Sequence, residues 1–302
     1  MASLLVEKQV GGLKLIGCSL AGEETVIGLP ELNVCFDIGR APREVLSIDN
    51  VCISHGHIDH ASGVPYYFAQ REFIGIAPGR VIVHRELAQA FQALMAVWAE
   101  IDGHHSPGTV LGVEPGEDVS VRRDLLIRPF GVNHGRSALG FSVIEQRHKL
   151  KPEFADRTGP QLVALKQQGV QIEHHIEVPL VAYCGDTAAG EFLDLDWVRN
   201  AGVLLLECTF FDPEHVVRAR AGRHIHVRDL RDALPRLRNP HIVLTHVTRR
   251  TDLGSAKRAL EALTEPADHP RLSFLMDRAR RPRGPSPPDR SPQPVERLET
   301  SS

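Results

Sequence analysis

The chain is predicted to be an α/β protein in which helices cover β-sheets, and three observations predict it. Short apolar runs alternate with amphipathic stretches, Gly-rich turns separate them, and residues able to bind a metal gather where apolar runs end.

Eight apolar runs have strand length and bounding turns: residues 32–36, 51–54, 81–84, 125–129, 139–144, 178–183, 203–206 and 242–245. Four stretches have helical spacing: 86–101, 192–200, 228–237 and 255–264, the last preceded by a Gly and followed by a Pro break. No repeat appears at solenoid periods. From Arg278 onward the sequence turns to Arg, Pro and Ser with few apolar residues, too few to offset the entropy of ordering. The expected division is a folded hydrolase domain over 1–277 and a disordered Pro- and Arg-rich tail over 278–302, solvated rather than bound to RNA.

Hydrophobic residues at 42% and charged residues at 24% are ordinary for a globular enzyme. A net charge of -3 gives no global basic field for nucleic acid or membrane. It opposes a nucleic-acid substrate only weakly, because bound cations add local charge that the count omits. Cys18, Cys35, Cys52, Cys184 and Cys208 share no CxxC spacing and sit in or beside apolar runs, which suits inert core thiols in a reducing compartment. The first twelve residues carry Glu7 and Lys8 and no long apolar stretch, so neither signal peptide nor membrane span is expected, and the expected location is cytoplasmic.

The chemistry concentrates in Ser54-His55-Gly56-His57-Ile58-Asp59-His60, directly after the apolar run at 51–53. A spacing of two along extended chain points His55 and His57 the same way, while Asp59 and His60 open the next turn and aim at a second centre. Three imidazoles and a carboxylate suit zinc. Further ligands come from other strand ends: His134, Asp186 and His246. The expected arrangement is two Zn²⁺, one held by His55, His57 and His134 and the other by Asp59, His60 and His246. Asp186 is placed to bridge cations roughly 3.5–4 Å apart.

This HxHxDH cluster, followed by a distant His, a Gly-Asp-Thr and a late His, resembles the metallo-β-lactamase superfamily. The resemblance spans Gly11 to about Met276 and implies the αββα sandwich, with metals at one edge of its two sheets. Two further motifs narrow it. Glu207-Cys208-Thr209-Phe210 and, seventeen residues later, Arg223-His224-Ile225-His226 are similar to motifs of ribonuclease Z, the tRNA 3′-processing endonuclease. The segments around Pro30, Phe36-Asp37-Ile38-Gly39-Arg40 and Lys149-Leu150-Lys151 resemble its short, plant-type branch.

The resemblance implies a homodimeric, zinc-dependent endoribonuclease acting on precursor tRNA, leaving a 3′-hydroxyl on the tRNA and a 5′-phosphate on the trailer. Asp59 would orient or deprotonate the attacking water. His224 would protonate the departing ribose oxygen, held in place by Glu207, a contribution typically of 10²–10⁴-fold. The role of His226 stays open between site and structure.

The chain also departs from the pattern. Only a short segment, 137–184, stands where other members carry a long tRNA-gripping arm. Arg223 stands where the family has Gly, and Thr251 where it has Tyr, while Arg250 matches a family Arg suited to phosphate. The alternative function is a hydrolase of a small phosphodiester, thioester or lactone, which would share the metal ligands but not the Glu207–His224 pair.

Overall fold

A computed structural model describes residues 4–277; the proposed tail at 278–302 lies outside the described residues. Among the described residues, fourteen strands form two seven-stranded sheets. The first holds β1 (Val6–Val10), β2 (Leu13–Leu20), β3 (Glu24–Leu29), β4 (Val34–Phe36), β5 (Asn50–Cys52), β6 (Arg80–His84) and β7 (Thr109–Val113), side by side in chain order. The second holds β8 (Val119–Arg122), β9 (Leu125–Gly131), β10 (Leu139–Leu150), β11 (Glu173–Tyr183), β12 (Val203–Glu207), β13 (His241–Thr245) and β14 (Leu272–Phe274), again in chain order. In each sheet the first four strands pair antiparallel and the last four, counting the shared one, pair parallel. The halves of the chain therefore share a topology, a repetition that no sequence period announces.

The parallel strands are buried on both faces, which is why they read as unbroken apolar runs. On β12, Val203 and Leu205 pack between the sheets against Phe36, Ile82, Phe141 and Val243. Leu204 and Leu206 point the opposite way, into a core shared with helices α5 (Asp196–Arg199), α7 (Val227–Ala233) and α8 (Leu253–Leu263). The outer face of the first sheet is covered by α1 (Ile58–Ala61), α2 (Val64–Phe73) and α3 (Arg85–Asp102) through Val64, Tyr67, Phe68 and Phe91. Helix, sheet, sheet and helix layers make the αββα sandwich that the sequence predicted.

All eight expected strands are present. The expected helix at 192–200 is instead a 3₁₀ turn, Glu191–Asp194, broken from α5 at Leu195. Its apolar pattern was real but served a bend that lays Phe192, Leu193 and Val198 on the sheet. The helix expected over 228–237 likewise tightens to a 3₁₀ turn at Leu234–Arg236, where Pro235 supplies no backbone donor. The segment 137–184 is more ordered than its scattered basic residues suggested. β10 continues past the last β9 pair, Glu145–Leu125, and stays zipped to β11 as far as Leu150–Glu173. At about 3.4 Å per residue the free hairpin projects roughly 17 Å beyond the sheet. It is closed by α4 (Gly159–Gln167) and exposes Arg147, His148, Lys149 and His175.

Candidate active site

The strand ends place the site. Asp37 follows β4, His55 follows β5, His134 follows β9, Asp186 follows β11, Glu207 ends β12 and His246 follows β13. The chain leaves β5 through Ser54 and turns at His57, whose extended backbone starts α1 and delivers Asp59 and His60 to the same spot. Asp37 and His246 both adopt left-handed backbone, φ 51° and 57°, a conformation that non-glycine residues take where surrounding structure demands it.

The structure brings all seven expected ligand residues together. Ligand atoms of His55, His57, His134 and Asp186 lie within 4.8 Å of one another, as do those of Asp59, His60 and His246. His55 Nε2 and His57 Nδ1 approach to 2.8 Å, and His134 Nε2 stands 3.5 Å from His57 Nδ1. Asp186 lies between the groups, its Oδ2 3.8 Å from His55, 3.4 Å from His60 and 3.1 Å from His246.

Two buried carboxylates fix the imidazoles from behind. Asp37 Oδ2 accepts from His60 Nδ1 at 2.7 Å, from Tyr183 at 2.5 Å and from Ser54 Oγ at 2.9 Å. Ser54 Oγ in turn accepts from His55 Nδ1 at 3.0 Å. Glu207 repeats the scheme: Oε1 accepts from His224 Nδ1 at 2.7 Å, and Oε2 accepts at 2.6 Å from Thr209 Oγ1, which accepts at 3.0 Å from His246 Nδ1. Backbone donors of Thr187 and Ile225 occupy its remaining lone pairs. With Nδ1 of four rings committed as donors, each presents its Nε2 inward.

Those nitrogens test whether a metal fits. Nε2 of His60 and of His246 are buried and make no hydrogen bond. An unmet buried polar atom costs on the order of 1–3 kcal/mol, which a coordinated cation removes. Charge points the same way. Burial pushes His55 down and neighbouring His60 pushes it further, to about 2, so it is neutral as a ligand must be. Burial would raise the Asp186 carboxyl, but the imidazoles of His246 and His60 hold it well below the usual range. Burial opposes charge on His60, yet Asp186 and Asp37 together keep its proton on, in a pocket that wants positive charge. Nitrogen and oxygen donors without a thiol suit a borderline divalent cation.

His224 stacks on His246 with ring centroids 5.1 Å apart, and burial, which would lower it, is outweighed by Glu207, so its pKa is raised. Its Nε2 also lies within reach of Asp186 and His246, so geometry alone allows it near a cation as well. His226 is structural. Its Nδ1 accepts from Arg228 N and its Nε2 donates to Asp212 O, capping α7. Arg250 is exposed on the turn after His246 and lines the large cleft beside it, while Arg249 pairs with Glu23. Arg223 caps α6 (Val216–Gly222) at φ 54° and clasps His134: its Nη1 donates to the His134 carbonyl at 3.1 Å, and its own backbone carbonyl accepts from His134 Nδ1 at 3.3 Å.

Sequence reasoning missed Asp37 as a functional residue, along with its relay Ser54 and the relay Thr209 that joins Glu207 to His246. The signal was present: an acid directly after the buried run Val34-Cys35-Phe36, in a place where a lone carboxylate needs partners.

Residues 32–247 match a family model described as a beta-lactamase superfamily domain. A tRNase Z of Arabidopsis thaliana is 33% identical over 264 residues, covering 86% of this chain and 94% of that protein. Two solved structures share the fold. YhfI of Bacillus subtilis, a metallo-beta-lactamase fold protein, aligns with a TM-score of 0.58 at 13% identity, over 86% of this chain and 94% of its own. The short form of human tRNase Z aligns with a TM-score of 0.56 at 16% identity, over 78% of this chain and 92% of its own. With its ligand cluster, its Glu207–His224 pair and a full-length relative of that name, the chain belongs to the tRNase Z family of the beta-lactamase superfamily.

Proposed function

We propose that this chain is a zinc-dependent endoribonuclease that removes the 3′ trailer from precursor tRNA and leaves a 3′-hydroxyl. The observation that carries the reading is the 2.7 Å hydrogen bond from His224 to buried Glu207, beside a seven-residue ligand cluster. A hydrolase of activated esters has no need of a proton donor so placed; a phosphodiester with a ribose leaving group does.

His55, His57 and His134 would hold one Zn²⁺, and Asp59, His60 and His246 the other, with Asp186 between. The cations supply Lewis acidity and lower the pKa of water. The protein does the rest. The Asp59 carboxylate, steadied by the Gly22 amide at 3.0 Å, orients the attacking water and takes its proton. The water oxygen bonds to phosphorus, and the P–O3′ bond breaks with its electron pair on O3′. Nε2 of His224 protonates that oxygen, while Glu207 holds the ring and stabilises its charged form. Arg250 contacts the phosphate through its fork, and the basic hairpin of β10 and β11 offers the RNA backbone a grip.

The proposed assembly is a homodimer. Of the eighteen residues of α3 only Phe91 is buried, and no charge interrupts residues 87–99. Ala90, Ala93, Leu94, Val97, Trp98 and Ile101 form an exposed stripe at core-type spacing. An uncharged stripe can pair with its own copy across a two-fold axis without repulsion. The proposed location is cytoplasmic, supported by five free, buried cysteines; among the described residues no helix is long and apolar enough to cross a membrane.

Incubation with a 3′-extended precursor tRNA, with and without chelator, tests the reading. A single metal-dependent cut leaving a 3′-hydroxyl is expected; an intact precursor with ready hydrolysis of a small ester would replace it.

A further inference from the structure

The ligand cluster opens onto two clefts. The larger, about 1040 Å³, is lined by His224, His246, Phe210, Arg218 and Arg250 among others. The smaller, about 370 Å³, is lined by His57, His134, Gly56, Leu87 and Gly135 among others. The division is clean at the chemistry: His224 and His246 face only the larger cleft, and His55, His57 and His134 only the smaller. Ala221 and Gly222 line both, so the end of α6 is the ridge between them, tied to His134 through Arg223.

We propose that these clefts divide the RNA by polarity: the acceptor end of the tRNA occupies the larger cleft and the first trailer nucleotide the smaller. The inference rests on the ribonuclease reading above. O3′ receives its proton from His224, so O3′ and the nucleoside that carries it must lie on the His224 side. O5′ stays on phosphorus, so the trailer nucleoside leaves toward the other side, past His57 and His134.

The walls agree with the assignment. Pockets for single small ligands start at roughly 300 Å³ and larger ones approach 1,000 Å³, so the small cleft fits one nucleoside and the large one a longer stretch. The small cleft is walled by Gly56, Gly135, Gly222, Leu87 and Ala138, and the Ser137 hydroxyl is already spent on Glu86. Arg223 adds a cation to this wall, suited to the 5′-phosphate, and the rest reads mainly shape, which suits trailers of varied sequence. The large cleft has a cationic aromatic corner, with the Arg218 guanidinium 5.7 Å over the Phe210 ring and His215 edge-on at 5.7 Å. Phe210 is itself buried and steadies the exposed Arg218 guanidinium, which offers a phosphate its charge and a base its planar face.

A side chain at 135 tests this without backbone cost, because a Cβ there meets nothing within 4 Å. Equilibrium binding of uridine 5′-monophosphate and uridine 3′-monophosphate is measured on metal-loaded protein, with metal content checked in each variant. Gly135→Leu and Ser137→Leu should weaken the 5′-phosphate at least tenfold and leave the 3′-phosphate within twofold; Arg218→Ala should do the reverse. Independently, precursor tRNA carrying 4-thiouridine as the first trailer nucleotide should crosslink to residues 134–138 or Leu87. The same label on the last tRNA nucleotide should reach residues 209–218. Swapped selectivity, equal losses, or crosslinks that swap or miss both clefts overturn the division. If precursor tRNA is not cut at all, the ribonuclease reading falls first; if it is cut and the pattern fails, only the polarity falls.

Discussion

Glu207 Oε1 accepts from Nδ1 of His224 at 2.7 Å, so the only nitrogen that His224 can offer the cleft is Nε2. If that nitrogen protonates the leaving oxygen, the need for it falls as the leaving group becomes more acidic. His224→Ala should lower kcat on precursor tRNA by about 10²–10⁴-fold and leave a nitrophenyl phosphodiester within about tenfold. Glu207→Gln should show the same contrast more weakly. Equal losses on both substrates, or loss of metal in His224→Ala, would make His224 a ligand or a structural residue.

Asp37 holds His60 directly and His55 through Ser54. Removing such an outer carboxylate typically costs about 10–100-fold in metal affinity. Asp37→Asn should therefore lose metal to a chelator at correspondingly lower concentration, with kcat recovering when metal is added in excess. Unchanged affinity in a folded variant would reduce Asp37 to a packing group.

The left-handed backbone at Arg223 separates two effects. A non-glycine residue there costs roughly 1–2 kcal/mol, partly offset by the greater unfolded freedom of Gly. Arg223→Gly should exceed Arg223→Ala in thermal stability by a few degrees, and both should stay within a few-fold of wild type in metal affinity, because the backbone carbonyl of residue 223 still accepts from His134 Nδ1 and only the guanidinium bond to the His134 carbonyl is lost. Gly no more stable than Ala would show that the turn stores no strain.

Chelation should lower Tm, because Nε2 of His60 and of His246 return to being unmet inside the protein. A melting curve indifferent to chelator would mean that the cluster stands without cations.

Val97→Glu, on the exposed stripe of α3, should convert a dimer to a monomer by sedimentation while leaving hydrolysis of the small ester near wild type. A wild-type chain that sediments as a monomer would dismiss the stripe as an interface.

Much of this was legible in the sequence. Runs such as 203–206 are apolar on both faces of a parallel strand, and only a buried strand of that length fits between turns. The cluster at 55–60 announced itself by density. Other parts stayed hidden for physical reasons. β2 carries Lys14, Gly17 and Ser19 inside a buried pattern, and Gly17 is required because a Cβ would meet the Val26 carbonyl at 2.0 Å. α2 opens on Val64-Pro65 and two tyrosines, which lack a strong helical preference, and depends on Tyr67 and Phe68 packing on the sheet. Asp37 escaped because it lies eighteen positions before the ligand run and touches it only through the fold. The surface of α3 escaped because apolar spacing looks the same whether the stripe faces a core or open water.

The matched topology of the two sheets carries a consequence for how the molecule is held together. The first sheet ends at Val113 and the second begins at Val119. Each proposed centre takes two side chains from before that joint, His55 with His57 or Asp59 with His60, and one from after it, His134 or His246. Every bound cation is then a rivet through a seam between two similar plates. A chain cut between residues 113 and 119 should yield fragments that each hold metal poorly, and that rejoin more tightly when metal is supplied.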